Sequence, residues 1–160
     1  MVELIREVDL DSPRDGAALL ALLDGYARDP MGGGEPLSDE VRALLIPQLR
    51  ARGHYLGVIA WHDDSPVGLV NCFEGFSTFA ARPLLNIHDI VVAPAARGSG
   101  LSQRLLAKVE ALARQRGCCK MTLEVLANNL VAQGAYRKFG FAAYQLDPQA
   151  GQALFWQKKF

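Results

Sequence analysis

The stretch Leu85–Leu106, LNIHDIVVAPAARGSGLSQRLL, decides the fold of this chain. Its first part is rich in β-branched residues and ends at Pro94, so it predicts a buried strand that stops at the proline. A short turn, Arg97-Gly98-Ser99-Gly100, comes next. After it, leucine and valine recur on one face of a helical pattern. The stretch therefore predicts the order strand, glycine turn, helix.

The turn and the helix start have the composition of an anion site. A helix start leaves backbone N–H groups without partners and carries partial positive charge. The first helical turn has no acidic residue, and Arg97 lies just before it. A bound phosphate would offset this charge, although an ordinary strand-to-helix turn explains these residues equally well. The dinucleotide fingerprint does not fit, because Gln103 stands where its third glycine belongs, and no P-loop Gly-Lys-Ser/Thr follows.

Length and composition predict one domain, residues 1–160, of the soluble globular class. Basic and acidic residues balance at 17 each, so charge favours neither nucleic acid nor a membrane surface as a partner. No apolar run is long enough for a transmembrane helix, and the acidic N-terminal segment is unlike a signal peptide. Cys72, Cys118 and Cys119 lack metal-ligand spacing. We therefore expect no metal site, and buried free thiols in a reducing cytoplasm.

Hydrophobic periodicity and turn residues predict about seven strands in a mixed sheet. Predicted strands cover 2–8, 55–61, 67–73, 87–92, 120–126, 141–146 and 153–158, and predicted helices cover 12–26, 38–49, 101–116 and 129–139. Asp29–Pro36 is expected to lack regular structure because it holds three consecutive glycines, and Phe76–Pro83 is expected to be a loop. Two successive strand–helix–strand units imply right-handed crossovers and a partly parallel sheet.

A second motif follows the strand that contains Leu123-Glu124-Val125. It reads Asn129-x-x-Ala132-x-x-Ala135-Tyr136-x-Lys138-x-Gly140-Phe141, and the first motif reads Val92-x-Pro94 followed by Arg97-x-x-Gly100-x-Ser102. In this order the two resemble the signatures of the GNAT (Gcn5-related) N-acetyltransferases. Ser102 departs from the usual Gly or Ala, and Ala135 from the common Leu. The resemblance implies an α/β fold with a mixed, mostly antiparallel twisted sheet of about seven strands, helices on both faces and a splayed parallel strand pair that binds the cofactor.

The same resemblance implies acetyl-CoA as cofactor and direct transfer of its acetyl group to a primary amine in a ternary complex, without a metal. The amides of the glycine turn would take the phosphates, and the open edge between the strands of Ile90–Val92 and Lys120–Leu126 would pair with the pantetheine arm. The N–H of Val92 or its neighbour would polarise the thioester oxygen. The implied cofactor-binding residues are Ile90, Val91, Val92, Arg97, Gly98, Ser99, Gly100, Leu101, Ser102, Gln103, Asn129, Tyr136 and Lys138.

Two catalytic residues are implied, Tyr136 and His88. Tyr136 matches the family's tyrosine that protonates the leaving thiolate, although a core aromatic on a helix face would look the same. His88 is a candidate base because histidine titrates near neutrality, and strand alternation places it with Ile90 and Val92, opposite Asp89. It stays open whether His88 is merely structural. Asp89 could likewise be structural, and Glu74 could be the base instead.

The acceptor site is implied by the resemblance alone. Its expected residues are Tyr26, Asp29, Glu35, Glu74 and Phe76. The acidic ones suit a cationic amine, and Leu154–Lys158 resembles a strand of the polyamine (spermidine/spermine) acetyltransferases. Amino acids, aminoglycosides, peptide N-termini and protein lysines stay open as acceptors. A homodimer is expected. The rival interpretations are a non-catalytic acyl-CoA-binding or regulatory module, and an interaction protein with no affinity for acetyl-CoA.

Overall fold

The computed structural model describes residues 3–160 and divides into two compact units, one ending at Leu123 and one spanning Glu124–Phe160. The first unit contains β1 (Glu3–Glu7), α1 (Pro13–Ala27), α2 (Asp39–Arg50), β2 (Tyr55–His62), β3 (Ser65–Ser77), β4 (Arg82–Val92), α3 (Leu101–Gln115) and β5 (Met121–Leu123), with 3₁₀ turns at Pro30–Gly32 and Pro94–Ala96. The second unit contains α4 (Leu130–Phe139). Val2, which the sequence assigned to the first strand, lies outside the described residues.

One sheet runs through the first unit in the order β1-β2-β3-β4-β5. All neighbouring strands are antiparallel except β4 and β5, which are parallel. The α/β class and the mixed, mostly antiparallel sheet are therefore confirmed. The five strands are fewer than the approximately seven that the sequence predicts.

Helices cover both faces of the sheet, as predicted. On one face, Leu19 and Leu22 of α1 pack with Ile59, Leu69 and Val91 of the sheet. Serine side chains cap both helices of this face, with Ser12 accepting from Asp15 N–H and Ser38 from Val41 N–H.

Helix α3 lies close against the other face of the sheet, and Gly68 of β3 permits this approach. A Cβ at Gly68 would lie 2.8 Å from Leu105 Cδ1 and 3.2 Å from Leu101 Cδ2. Both leucines, together with Leu106 and Val109, are almost fully buried. The first turn of α3 is thereby fixed against β3, which sets the position of the glycine turn before it.

The last two predicted strands, 141–146 and 153–158, are not formed. A turn at Asp147–Ala150 joins these segments, and the backbone bond from Ala153 N–H to Tyr144 O at 3.2 Å connects them across it. Both segments are largely exposed, with Leu154, Phe155 and Trp156 all more than three-quarters exposed. An isolated two-stranded ribbon is only marginally stable, because neither strand has a covered apolar face. The predicted polyamine-type strand at Leu154–Lys158 is therefore absent.

Other boundaries also differ from the prediction. The predicted strand 120–126 is short, because regular pairing is limited to Met121–Leu123. Phe76–Pro83 is not a long loop: β3 continues to Ser77 and β4 begins at Arg82, with Ala81 at a positive φ of 51° in the tight turn between them. Asp29–Pro36 is not wholly irregular, since Asp29 caps the 3₁₀ turn through Met31 N–H. Gly32 there packs so closely that a Cβ would lie 2.0 Å from Tyr26 O.

Candidate active site

The glycine turn leads into α3 with the geometry that an anion site requires. Gly98 and Gly100 have φ angles of 77° and 78°, in the left-handed region that favours glycine. Gly100 is the N-cap residue, no side chain caps the helix, and its first turn has no acidic residue. The positive end of α3 is thus not neutralised by its own first turn, so a phosphate would be stabilised there.

Strand β4 presents a free edge next to this turn. Its parallel pairing with β5 ends at Ile87 opposite Leu123, whereas β4 continues to Val92. Ala93 N–H donates to Val67 O of β3 at 2.8 Å, so the N–H of the preceding Val92 projects toward the opposite edge. Within the first unit, the segment after Ile87 therefore offers backbone groups to a ligand that lies along it as a strand would.

Arg97 connects the turn with the loop after α1. Its Nε donates to Val92 O at 3.3 Å, and its Nη2 lies 3.8 Å from Asp29 Oδ2. Arg97 is a sequence-predicted cofactor residue and Asp29 a predicted acceptor residue. The structure therefore places these two predicted sites side by side, with the guanidinium at their boundary.

A β-bulge in β4 overturns the predicted orientation of His88. Asn71 of β3 is opposite Asp89 while Cys72 is opposite Ile87, so His88 is the extra residue of the bulge. The His88 ring contacts Phe73 with centroids 4.8 Å apart, and Asp89 hydrogen-bonds to Asn71, which alternates with Phe73 along β3. His88 and Asp89 consequently share the α1 face of the sheet. Simple alternation, which placed them on opposite faces, is wrong here because the bulge interrupts it.

Two side chains on this face were missed by the sequence analysis. Asn71 and Tyr55 are buried and join Asp89 in a chain of hydrogen bonds, Tyr55 Oη to Asn71 Oδ1 at 2.8 Å and Asn71 Nδ2 to Asp89 Oδ2 at 3.1 Å. The available signal was Asn71 itself, a single amide inside the apolar run Val67–Phe73. Burial raises the pKa of Tyr55, with a smaller contribution from the Asp89 charge, so the phenol stays protonated and donates.

The predicted acceptor residues do not all meet. Tyr26 at the end of α1 is close enough to Asp89 and Asp29 that, after burial, their charges help to raise the pKa of its phenol. Glu74 follows Phe73 on β3 and so points to the opposite face. There burial raises the pKa of Cys118, and the charge of Glu74 adds a smaller contribution. Glu35 is exposed beyond the 3₁₀ turn, and Phe76 is 62% exposed near the β3–β4 turn. The structure thus places Tyr26 on the face of the sheet that also carries His88 and Asp89, whereas Glu74 lies on the opposite face.

In the second unit, three predicted residues lie on or beside α4. Asn129 caps the helix through Oδ1, which accepts from Ala132 N–H at 3.2 Å. Tyr136 is half-buried, and its ring meets Phe141 edge-on with centroids 6.1 Å apart. Lys138 is exposed in the last turn, where a cation favours the helix dipole.

The cysteines are free, but only Cys72 is buried; Cys118 is half-buried and Cys119 is exposed. Burial raises the pKa of Cys72 to about 12, so this thiol is not a nucleophile at neutral pH. No set of three or more His, Cys, Asp or Glu residues is arranged for a metal ion in the described range 3–160. Over the same range, no helix is long and apolar enough to cross a bilayer.

Comparison with known proteins agrees with this geometry. The chain is 41% identical over 75 residues to streptothricin acetyltransferase of Streptomyces lavendulae. This aligned stretch covers 47% of the chain and 40% of that relative. The chain thus spans less than half the length of this relative. It is 32% identical over 119 residues to bovine (Bos taurus) thialysine N-epsilon-acetyltransferase, covering 66% of the chain and 69% of the relative.

Solved structures share the fold along nearly the whole chain. A probable acetyltransferase superposes with a TM-score of 0.78 at 22% identity, covering 99% of this chain and all of that one. The aminoglycoside acetyltransferase AAC(6')-Iy, solved with the bisubstrate analogue CoA-S-monomethyl-acetylneamine, gives a TM-score of 0.75 at 19% identity and 99% coverage of both chains.

The sequence model of the acetyltransferase (GNAT) family matches residues 19–141, which include the glycine turn, the bulged strand β4 and the second motif. With the mixed sheet and the uncapped start of α3, this match shows that the chain belongs to the acetyltransferase (GNAT) family.

Proposed function

We propose that this chain is an N-acetyltransferase that moves the acetyl group of acetyl-CoA to a primary amine by direct attack in a ternary complex. The observation that carries the proposal is the combination, within one unit, of an uncapped helix start after a glycine turn and a strand edge that is open beyond Ile87. Acetyl-CoA supplies the activated acetyl thioester. It also carries a diphosphate and an arm of amides, and these match the two features.

The residues present fit this cofactor. The backbone from Gly98 to Ser102 offers N–H groups and the positive end of α3 to the diphosphate, and Arg97 adds a charge that is exposed beside them. Gln103 N–H donates to Gly100 O at 3.1 Å, so Gln103 is assigned to the cofactor only by its place in the first helical turn. The half-buried Ser102 replaces a smaller residue of the family motif, and its hydroxyl does not remove any backbone donor. The edge of Ile90 and Val92 offers backbone groups to the amide arm, and Val92 N–H is the donor that we assign to the thioester oxygen.

The proton movements are assigned to two side chains. An alkyl ammonium cannot attack until it loses a proton. His88, which is exposed on the α1 face of the sheet, takes this proton. Tyr136 gives a proton to the departing thiolate; this role rests on the family motif around Tyr136. Asn129 and Lys138 are assigned to the cofactor on the same motif. We further propose that the protein works in the cytoplasm as a homodimer on a small-molecule acceptor.

The experiment is an acceptor screen of the full chain with acetyl-CoA, in which the released CoA thiol is measured for amines of several classes. Transfer by the wild type, with Tyr136→Phe slowing turnover at least about tenfold while the Kd for CoA is unchanged, supports the proposal. CoA binding without release for any amine would instead indicate the non-catalytic acyl-CoA-binding module. If calorimetry detects no binding of CoA, the proposed cofactor site is wrong.

A further inference from the structure

The carboxylate of Asp89 has an unusual set of neighbours for a half-buried charged group on the α1 face of the sheet. Its Oδ2 accepts a hydrogen bond from Asn71 Nδ2 at 3.1 Å. Among residues 3–160, no lysine, arginine or histidine nitrogen lies within ion-pair distance of it. By contrast, Asp29 on the same side of the sheet lies 3.8 Å from Arg97. Asp89 is therefore a half-buried carboxylate held in place by a neutral amide rather than by a cation of the described chain.

The amide that holds Asp89 is itself fixed. Asn71 is 4% exposed, and its Oδ1 accepts from the Tyr55 hydroxyl at 2.8 Å, while Tyr55 is 9% exposed. A carboxylate only accepts hydrogen bonds, so the amide must turn its NH₂ group toward Asp89 and its oxygen toward the tyrosine. The chain Tyr55–Asn71–Asp89 consequently has one consistent direction of donation, and this direction fixes the position of one carboxylate oxygen.

Burial of the Asn71 amide is difficult to explain by its contribution to stability alone. Asn71 lies between Leu69 and Phe73 along β3, and both of these neighbours on its face of the strand are apolar. Burying an amide gives little net stability even when its hydrogen bonds are made. The function that explains the network is to hold an anion at a defined place for a group that is not part of the chain.

The surroundings of Asp89 suit an organic cation. The Phe73 ring is the centre of a group of rings, 4.8 Å from His88, 5.6 Å from Tyr55 and 5.6 Å from His54. Tyr26 of α1 packs against the same face of the sheet. Aromatic faces attract cations, and a carboxylate beside them adds charge and hydrogen bonds. A neutral amine of the same size could still donate an N–H to the carboxylate, but it would lack the charge that strengthens both attractions.

We propose that Asp89 binds the ammonium group of the acceptor, and that Asn71, supported by Tyr55, is the residue that positions Asp89. This inference rests on the proposed function and narrows its substrate class to aliphatic amines that are cationic at neutral pH, excluding weakly basic aryl amines. Asp89 holds the ammonium, and the adjacent His88 in the same bulge removes its proton.

The test compares two isomeric probes, benzylamine and 4-methylaniline, which have the same atoms but differ in charge at pH 7. Their binding to the full chain saturated with CoA is measured by ligand-observed NMR for the wild type and for Asp89→Asn, which keeps the shape of the side chain. We expect the wild type to prefer benzylamine, and Asp89→Asn to weaken benzylamine at least about tenfold while leaving 4-methylaniline unchanged. Absence of benzylamine binding to the wild type, or an equal loss for both isomers, would overturn the proposal.

The positioning role is tested by a double-mutant cycle. Asn71→Leu alone should weaken benzylamine about threefold or more, but should add little in the Asp89→Asn background, since Asn71 acts through Asp89. Tyr55→Phe keeps the ring and should have the same sign with a smaller effect. Additive losses in the cycle would show that Asn71 acts through general stability instead.

A kinetic measurement separates this inference from the proposed function. For the fastest aliphatic amine of the acceptor screen, Asp89→Asn should raise the acceptor KM while the KM for acetyl-CoA stays constant. Transfer that proceeds with an unchanged acceptor KM in Asp89→Asn would refute the inference and leave the acetyltransferase proposal intact. Lack of CoA binding would refute the acetyltransferase proposal. The comparison of the two isomers in the absence of CoA would still test the inference about Asp89.

Discussion

Both carboxylate oxygens of Glu3 in β1 accept hydrogen bonds from the Arg104 guanidinium in α3, with Nε–Oε1 at 2.8 Å and Nη2–Oε2 at 2.7 Å. The third guanidinium nitrogen, Nη1, donates to Ser99 O in the glycine turn at 2.8 Å. The hydrogen bonds from Arg104 and His62 lower the pKa of Glu3 to about 2, so the pair is ionised at neutral pH. The first strand therefore holds the arginine that supports the turn.

This relationship predicts that Arg104→Met weakens CoA binding. The substitution removes the guanidinium that donates to Ser99 O, so the glycine turn is no longer held in its observed conformation before α3. The Kd for CoA, measured by calorimetry, should therefore rise about three- to tenfold. Arg114→Met is the matched control, because Arg114 is another α3 arginine that pairs only with Glu110 among the contacts described here, at 2.6 Å. Its Kd should equal that of the wild type.

Glu3→Gln distinguishes support of the turn from a direct charge effect. It keeps Arg104 and removes the anion that holds it. If Arg104 acts by supporting the turn, Glu3→Gln should weaken CoA binding in the same direction as Arg104→Met. Tighter binding in Glu3→Gln would mean that the freed guanidinium attracts phosphate directly, and the support argument would fail.

The glycine turn was predictable from the sequence because its determinants are local. A proline that stops a strand, glycines that accept positive φ, and a helix start without an acidic residue all act within the stretch from Pro94 to Gln103. The position of His88 was not predictable, because a bulge depends on how β3 and β4 pair and the sequence of β4 alone carries only its alternation. Asn71 was visible as a polar residue in an apolar run, but its partners, Tyr55 and Asp89, come from two other strands, β2 and β4.

The C-terminal segments 141–146 and 153–158 show a second limit of prediction from the sequence. The apolar and aromatic residues of 141–146 and 153–158 fit a strand pattern, yet a strand forms only when its backbone finds a partner edge. Here Ala153 N–H donates to Tyr144 O, but neither segment is a strand. Side-chain pattern and backbone pairing are separate conditions, and the sequence reports only the first.

A second prediction compares two glycines with equal backbone strain. Gly98 and Gly117 have φ angles of 77° and 75°, and a Cβ at either would meet no atom within 4 Å. Alanine at each should therefore lower the free energy of unfolding by about 1 kcal/mol, the cost of a left-handed L-residue. Only Gly98 lies in the turn before α3, so only Gly98→Ala should raise the Kd for CoA, measured by calorimetry alongside thermal unfolding. Equal CoA affinity in the two variants would place the phosphates elsewhere.

A third prediction concerns the loop between α1 and α2. Asp24 accepts hydrogen bonds from Leu37 N–H and Arg28 Nε, each at 2.9 Å, and lies 2.5 Å from Arg42 Nη2. These contacts close the base of the segment that carries Asp29 and Gly32. Asp24→Asn should loosen this segment and raise the acceptor KM several-fold in steady-state kinetics, with the KM for acetyl-CoA unchanged. Asp11→Asn, which removes an exposed partner of Arg50 at the other end of α1, should change neither constant.

A fourth prediction uses the buried carboxylate that joins β1 to α1. Asp15 is fully buried and accepts from Arg6 Nη1 at 2.6 Å, from Arg6 Nη2 at 2.8 Å and from Asp9 N–H at 2.9 Å. The hydrogen bonds from Arg6 outweigh burial and lower the pKa of Asp15. Asp15→Asn should therefore reduce the free energy of unfolding at pH 7 by about 2 kcal/mol, since hydrogen bonds to a charged group are lost.

The pH dependence of this fourth prediction has a definite sign. The pKa of Asp15 is lower in the folded chain than in the unfolded one, where it is about 3.9, so the ionised carboxylate stabilises the fold fully above the unfolded value. The contribution is lost as pH falls toward the folded value. Urea unfolding at a series of pH values should show a constant difference between wild type and Asp15→Asn from pH 7 to about 5, and a shrinking difference below about 4. Asp64→Asn, whose carboxylate is 99% exposed beside Arg14, is the control and should match the wild type throughout. A wild-type advantage that grows on acidification would contradict the assigned charge state.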